Sequence, residues 1–253
     1  MRYIQFIFSP TGGTKKVADA ITTHLSSSVD TIDLSNPETD FSQYSFQDDD
    51  VVLIAMPSFG GRVPSIAVQR LNEAKGNNAK CIIVCVYGNR AYEDSLVEME
   101  DAAVKSGFQV IAAISAVAEH SIMHQYATNR PDESDVSQLK DFALKIKDKV
   151  EKHDTTKPDI PGNRPYKKAG SAGLVPKADS SCIKCGLCAR QCPVQAINMD
   201  QLKSADSKKC ISCMRCVSNC PNHARKVNKA MVAIASVAIK KACSEKKSNE
   251  LFI

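Results

Sequence analysis

The chain has no tryptophan and only 14 Phe and Tyr among 253 residues. Past residue 150 the only aromatics are Tyr166 and Phe252. No row of rings is available there for unpaired bases to stack on, so nucleic-acid binding is not expected. Long apolar runs are absent too. The longest candidate, Ala230–Ile239, covers 10 residues between Lys229 and Lys240–Lys241, about half of the ~20 needed to cross a bilayer. The apolar start ends at Phe8 and runs into Ser-Pro-Thr-Gly-Gly, so no signal peptide is expected. No Ser/His/Asp set or carboxylate pair stands out, and His24, His124, His153 and His223 have no ligand spacing. With 43% apolar and 24% charged residues, disorder throughout is excluded.

What is present is unevenly spread. Residues 1–150 carry 14 Lys and Arg against 20 Asp and Glu, a net −6, whereas residues 151–253 carry 19 against 8, a net +11. Some of that basic charge is expected to face the acidic half or an acidic redox partner. Eight of the 11 cysteines fall between Cys182 and Cys220. With no secretory leader expected, dense cysteine at fixed spacing points to metal rather than disulfides.

The first half alternates between β-rich runs and helical patterns. Strands are expected at Tyr3–Phe8, Val29–Leu34, Val51–Met56, Cys81–Tyr87 and Phe108–Val117, with helices after the first, third, fourth and fifth, the last at Glu133–Val150. The first, third, fourth and fifth runs are continuously apolar, as in parallel strands buried on both faces. Five βα units imply a doubly wound, open α/β sheet. Residues 1–151 form that domain. Residues 152–177, with four prolines and three glycines in and around them, read as a linker that packs on its neighbours. Residues 178–227 form a small α+β segment, and 228–253 a helix and tail. Cys81 and Cys85 lie on one face of the fourth strand as buried apolar side chains, and Cys243 is expected at the surface.

The only internal repeat is C-x2-C-x2-C-x3-C-P, at Cys182–Pro193 and again at Cys210–Pro221. Three thiolates of a tight loop suit three irons of a [4Fe–4S] cluster, and the fourth Cys of each run ligates the other cluster. One cluster takes Cys182, Cys185, Cys188 and Cys220; the second takes Cys210, Cys213, Cys216 and Cys192. Gly186 fits close approach of the backbone to a cluster. Zinc is the alternative, but it usually takes two C-x2-C pairs. The repeat resembles the bacterial two-[4Fe–4S] ferredoxin domain, with all eight ligands present.

After the first strand, Ser9-Pro-Thr11-Gly12-Gly13-Thr14 leads into a helix. A turn of this kind offers backbone N–H groups and a positive dipole end to a phosphate. It has no Lys of a nucleotide-triphosphate loop and is not GxGxxG. It resembles the flavodoxin phosphate loop, S/T-x-T-G-x-T. That resemblance implies a flavodoxin-like five-stranded parallel sheet in the order 2-1-3-4-5, and FMN with its phosphate on Ser9, Thr11, Gly12, Gly13 and Thr14. It further implies a ring flanked by Phe59 and Tyr92, its edge bonded by backbone of the Pro57-Ser58-Phe59-Gly60-Gly61 and Gly88-Asn89-Arg90 turns. Arg62 and Arg90 stand where flavodoxins are usually acidic, so a raised flavin potential is expected. His120, after the fifth strand, could touch flavin, partner or only its own loop.

The whole chain resembles fused flavodoxin–ferredoxin proteins of anaerobic bacteria and archaea, through GGRVP, YGNRAYED and AEHS (Ala118–Ser121). The resemblance implies a cytoplasmic electron-transfer protein serving redox partner proteins. The alternatives are an FMN-dependent reductase of a small molecule and a flavin-free ferredoxin with a docking domain.

Overall fold

A computed structural model describes residues 1–170 and 173–253. Ser171 and Ala172, inside the expected linker, lie outside the described residues. Strands β1 (Tyr3–Ile7), β2 (Asp30–Asp33), β3 (Val51–Pro57), β4 (Lys80–Tyr87) and β5 (Gln109–Val117) form a parallel sheet in the order β2-β1-β3-β4-β5. This is the flavodoxin-like, doubly wound arrangement expected from the sequence.

Period-two alternation divides each central strand between two cores. In β4, Cys81, Ile83 and Cys85 face one side and Ile82, Val84 and Val86 the other. The first side is closed by Ala67 and Leu71 of helix α2 (Ser65–Leu71) and by Leu96, Met99 and Ala103 of α3 (Ser95–Lys105). The second is closed by Val17 and Ile21 of α1 (Gly13–Leu25) and by Leu139, Phe142 and Ile146 of α4 (Glu133–Glu151). Helices on both faces explain why these strands read as unbroken apolar runs. Cys81 and Cys85 are fully buried, and burial raises both thiols, Cys85 to about 12.

Two features depart from the expectation. The tail does not trail away. Its last strand pairs antiparallel with β5 through Ser115–Glu250, Ile114–Leu251 and Ala113–Phe252, adding a sixth strand. Polar side chains hold it there: Val117 N–H donates to Asn249 Oδ1, and Asn249 donates to buried Asp135. Cys243 is consequently buried, not at the surface.

The linker packs on α3. Arg164 bonds Glu100 and Asp101, and the Asn163 and Lys167 N–H groups donate to Asp94. Beyond it come β6 (Lys177–Ala178), α5 (Leu187–Arg190), α6 (Arg215–Ser218), β7 (Arg225–Lys226) and α7 (Lys229–Ile239), with β6 and β7 antiparallel. The last strand, Glu250–Phe252, is β8. Helix α7 rests on the loop after β5, where Tyr126 Oη donates to the Ser236 carbonyl, and it exposes Met231, Ile234 and Val237. No helix among the described residues is long and apolar enough to cross a membrane.

Candidate functional site

The carboxyl ends of β1, β3 and β4 open into a cavity of about 810 Å³. In a doubly wound sheet this switch point is where ligands sit. Thr11, Gly13 and Thr14 line it from the first loop. Gly12 adopts φ +92°, which turns the chain into α1. Ser9 Oγ accepts from Lys15 N–H at 2.9 Å, and Ser9 N–H donates to Ser35 Oγ. Ser9 thus braces the loop, while the N–H groups of Thr11 to Thr14 take no partner among the described residues. Unpaired donors at the start of a 13-residue helix fit an anionic group.

Pro57, Ser58, Phe59 and Gly60 line the cavity from the second loop. The turn is closed by the Phe59 N–H bond to the Arg62 carbonyl at 2.8 Å, with Gly60 and Gly61 at positive φ. A Cβ on Gly61 would lie 1.6 Å from Glu93 Oε2. Arg62 reaches the cavity but is not a free cation. Glu98 takes its Nε and a terminal nitrogen at 2.6 and 2.7 Å, and the Lys167 carbonyl takes the other.

The third loop departs most from expectation. Gly88 lines the cavity, but Asn89, Arg90 and Tyr92 do not. Asn89 donates to the carbonyls of Cys243 and Glu245, Arg90 pairs with Glu93, and Tyr92 donates to Glu250 at 2.9 Å. Each is drawn away by a segment remote in sequence or by its own turn. Tyr87 lines the cavity instead, edge-on to Tyr92 with centroids 5.3 Å apart. The two arginines expected to raise a flavin potential are both matched by carboxylates, which removes the basis of that expectation.

His120, from the loop after β5, packs so closely on Gly88 that a Cβ there would lie 2.7 Å from its Cδ2. Its Nδ1 accepts from the Ile122 and Met123 N–H groups, both at 3.2 Å. Burial lowers its pKa, helped by His124 and Arg90. The ring is therefore neutral at pH 7, its proton on Nε2.

The far wall comes from the cysteine-rich segment. Ser207 to Cys213 line the cavity, and Ile211 packs on the α2–α3 core. Cys210 and Cys213 therefore border the cavity formed by the sheet's loops. On the other side, Arg70 donates to the Pro193 carbonyl at 2.7 Å, next to Cys192.

The eight cysteines separate into two sets. Cys182, Cys185, Cys188 and Cys220 line one small cavity. Cys192 instead lies within electrostatic reach of Cys210, Cys213 and Cys216. Burial pushes Cys213 up to about 12 and Cys216 to about 11. Burial also opposes ionisation of Cys220, but the N–H groups of Arg225, Ala224 and Asn222 outweigh it and lower its pKa. Among the described residues no three His, Cys, Asp or Glu side chains converge on one ion position. An all-thiol donor set with N–H···S bonds from Ala196 and Ala224, both at 3.3 Å, fits iron–sulfur ligation.

The two halves of this segment superpose in detail. Lys184 and Ser212 have φ +56° and +53°, Gly186 and Met214 +75° and +61°, and Gln195 and His223 both +49°. The left-handed turn before each short helix is met by Gly in one half and Met in the other. Gly186 thus serves a helix start that does not demand glycine.

Residues 181–224 match the family model described as a 4Fe-4S dicluster domain. No curated protein matches the chain. Among solved structures, a flavodoxin of Streptococcus pneumoniae TIGR4 is 19% identical with a TM-score of 0.42, covering 58% of this chain and 98% of its own. An archaeal flavodoxin is 15% identical at 0.42, covering 60% and 99%. Rubredoxin oxygen:oxidoreductase of Desulfovibrio gigas is 16% identical at 0.43, covering 60% and 36%. At such scores these likenesses add nothing to the strand order, which by itself defines the flavodoxin-like class. A flavodoxin-like sheet followed by a 4Fe-4S dicluster segment is the organisation of fused flavodoxin–ferredoxin proteins, and it gives the chain a redox character.

Proposed function

We propose that the protein transfers electrons between FMN and two [4Fe–4S] clusters. The observation that carries this reading is the shared cavity: the loops of β1, β3 and β4 and the Cys210–Cys213 loop line one space. Bound FMN exchanges one or two electrons and each cluster one, so the pair converts between the two regimes. The Thr11–Thr14 N–H groups hold the phosphate, with Ser9 fixing the loop. Phe59 lies along the ring, and the backbone of Gly60, Gly61 and Gly88 meets its edge. Cys210, Cys213, Cys216 and Cys192 hold the cluster beside the flavin; Cys182, Cys185, Cys188 and Cys220 hold the outer one. Cys185 is exposed, which makes the outer site the natural entry for a redox partner.

A second reading has one observation in its favour. Tyr92 turns away to Glu250, leaving Tyr87 as the only aromatic among the described residues that lines the cavity on the side Tyr92 would have covered. A small substrate could be reduced there, in a cytoplasmic, low-oxygen setting.

The test is cofactor content after anaerobic purification. About eight iron, eight sulfide and one FMN per chain uphold the reading. Iron and sulfide without flavin, even after FMN is added back, leave a ferredoxin with a docking domain. Consumption of electron acceptors such as quinones or nitro compounds separates reductase from carrier.

A further inference from the structure

Arg225 occupies an unusual place for an arginine. It is 2% exposed and lines the cavity of Cys182, Cys185, Cys188 and Cys220. Two of its nitrogens donate to the Leu202 and Ser204 carbonyls at 2.8 and 3.4 Å, while Nε is buried without a partner. No carboxylate among the described residues pairs with it.

The internal repeat shows that the fold does not require this cation. Cys192-Pro-Val-Gln-Ala-Ile197 and Cys220-Pro-Asn-His-Ala-Arg225 are equivalent, matched by the paired N–H···S bonds and left-handed residues above. The counterpart of Arg225 is Ile197, an apolar side chain 5% exposed. One half fills the position with hydrocarbon and the other with a permanent charge. A buried cation without a counter-charge is costly, and guanidinium cannot escape by losing a proton. Something anionic must balance it. Arg225 lines the cavity of Cys182, Cys185, Cys188 and Cys220, and its side chain also reaches Cys216 of the other set. It therefore lies between the two sets.

We infer that Arg225 is the shared counter-cation of the two iron–sulfur sites and holds both clusters at a higher reduction potential than their thiolates alone would. The inference rests on the two-cluster reading. Reduction of a cluster adds one electron and one negative charge. A fixed cation nearby stabilises that state more than the oxidised one, and the low local dielectric strengthens the effect. Its carbonyl bonds keep the guanidinium in place, so Arg225 is a positioning and charge-setting residue rather than a ligand.

The test uses the full chain, loaded anaerobically, with iron and sulfide assayed and both couples followed by EPR-monitored potentiometry. Arg225→Met, close in length and uncharged, is expected to retain its clusters while both couples move to more negative potential. Arg225→Lys keeps the charge without the fork and is expected to stay near the wild-type potentials. Arg225→Met with both clusters present and both couples unmoved overturns the inference. So does Arg225→Lys shifting as far as Arg225→Met, which would reveal a packing effect. If Arg225→Met takes up no iron, Arg225→Lys decides: wild-type potentials uphold the charge role, and displaced potentials or absent clusters overturn it. A wild-type chain without iron overturns the two-cluster reading itself, a failure recognised by iron content before any potential is measured.

Discussion

Replacing Arg70 with methionine should loosen the cysteine-rich segment from the sheet without unfolding either. Arg70 is 8% exposed, and burial lowers its pKa. It donates to the Leu34 carbonyl at 2.6 Å and the Pro193 carbonyl at 2.7 Å, and its guanidinium carbon lies 5.6 Å from the Phe41 ring centre. Each bond from a charged donor contributes about 1.5–3 kcal/mol. Only the Pro193 bond crosses to the cysteine-rich segment, so its loss weakens that contact by about 1.5–3 kcal/mol, about 10- to 150-fold. The lost Leu34 bond is offset in part because methionine relieves the desolvation of an unpaired guanidinium. The assay is hydrogen exchange read by mass spectrometry. Peptides covering 190–196 and 207–213 should lose protection, while peptides of β3 and β4 keep theirs. Unchanged exchange at 190–196 and 207–213 would refute the reasoning. Equal loss everywhere would show that Arg70 supports the sheet rather than the junction.

Gly61→Ala should abolish FMN retention, because its Cβ would collide with Glu93 and its φ is +86°; flavin content after gel filtration checks this. Gly12→Ala meets no neighbour within 4 Å, so only its positive φ is penalised, by about 1–2 kcal/mol in thermal unfolding. Tyr92→Phe should leave FMN content unchanged and lower stability by about 1 kcal/mol through the lost Glu250 bond, whereas Phe59→Ala should weaken flavin binding in a fluorescence titration. Asp132 caps α4 and pairs with Lys246, whose hydrogen bond, with the Asp135 N–H, lowers its pKa to about 2. A depressed carboxylate stabilises the fold above its ordinary value of 3.8, and that contribution fades as pH falls towards 2. The melting temperature of Asp132→Asn should therefore fall below wild type at pH 6 and converge with it near pH 2.

Much of this was legible in the sequence because its signals are local. The apolar runs of β3, β4 and β5 and the doubled cysteine spacing each lie within one stretch of chain. The side chains of the loop after β4 were not legible because they answer to residues far away. Asn89 is claimed by Cys243 and Glu245, and Tyr92 by Glu250, more than 150 positions on. Strand β8 was missed because Glu-Leu-Phe is too short to carry a period. Arg225 could have been found by setting the two halves of the repeat side by side, where it stands against Ile197.

The opposite charges of the two halves meet within the molecule. Lys157 and Arg164 reach Glu100, Lys167 reaches Glu93, Arg215 reaches Asp33 and Lys246 reaches Asp132. Most of these cations are well exposed, and exposed pairs contribute about 0–1 kcal/mol each. They bias which surfaces meet more than they hold them together. The holding falls to contacts that salt does not screen: Ile211 packed on the α2–α3 core, and Arg70 bonded to the Pro193 carbonyl. Both lie beside the Cys192 and Cys210–Cys213 loops, which border the cavity. The junction is therefore held beside the cavity, where the proposed function puts its two cofactors. Among the described residues Lys184 and Lys203 of the cysteine-rich segment are exposed and have no carboxylate partner, which under the proposed function leaves them available to an acidic redox partner.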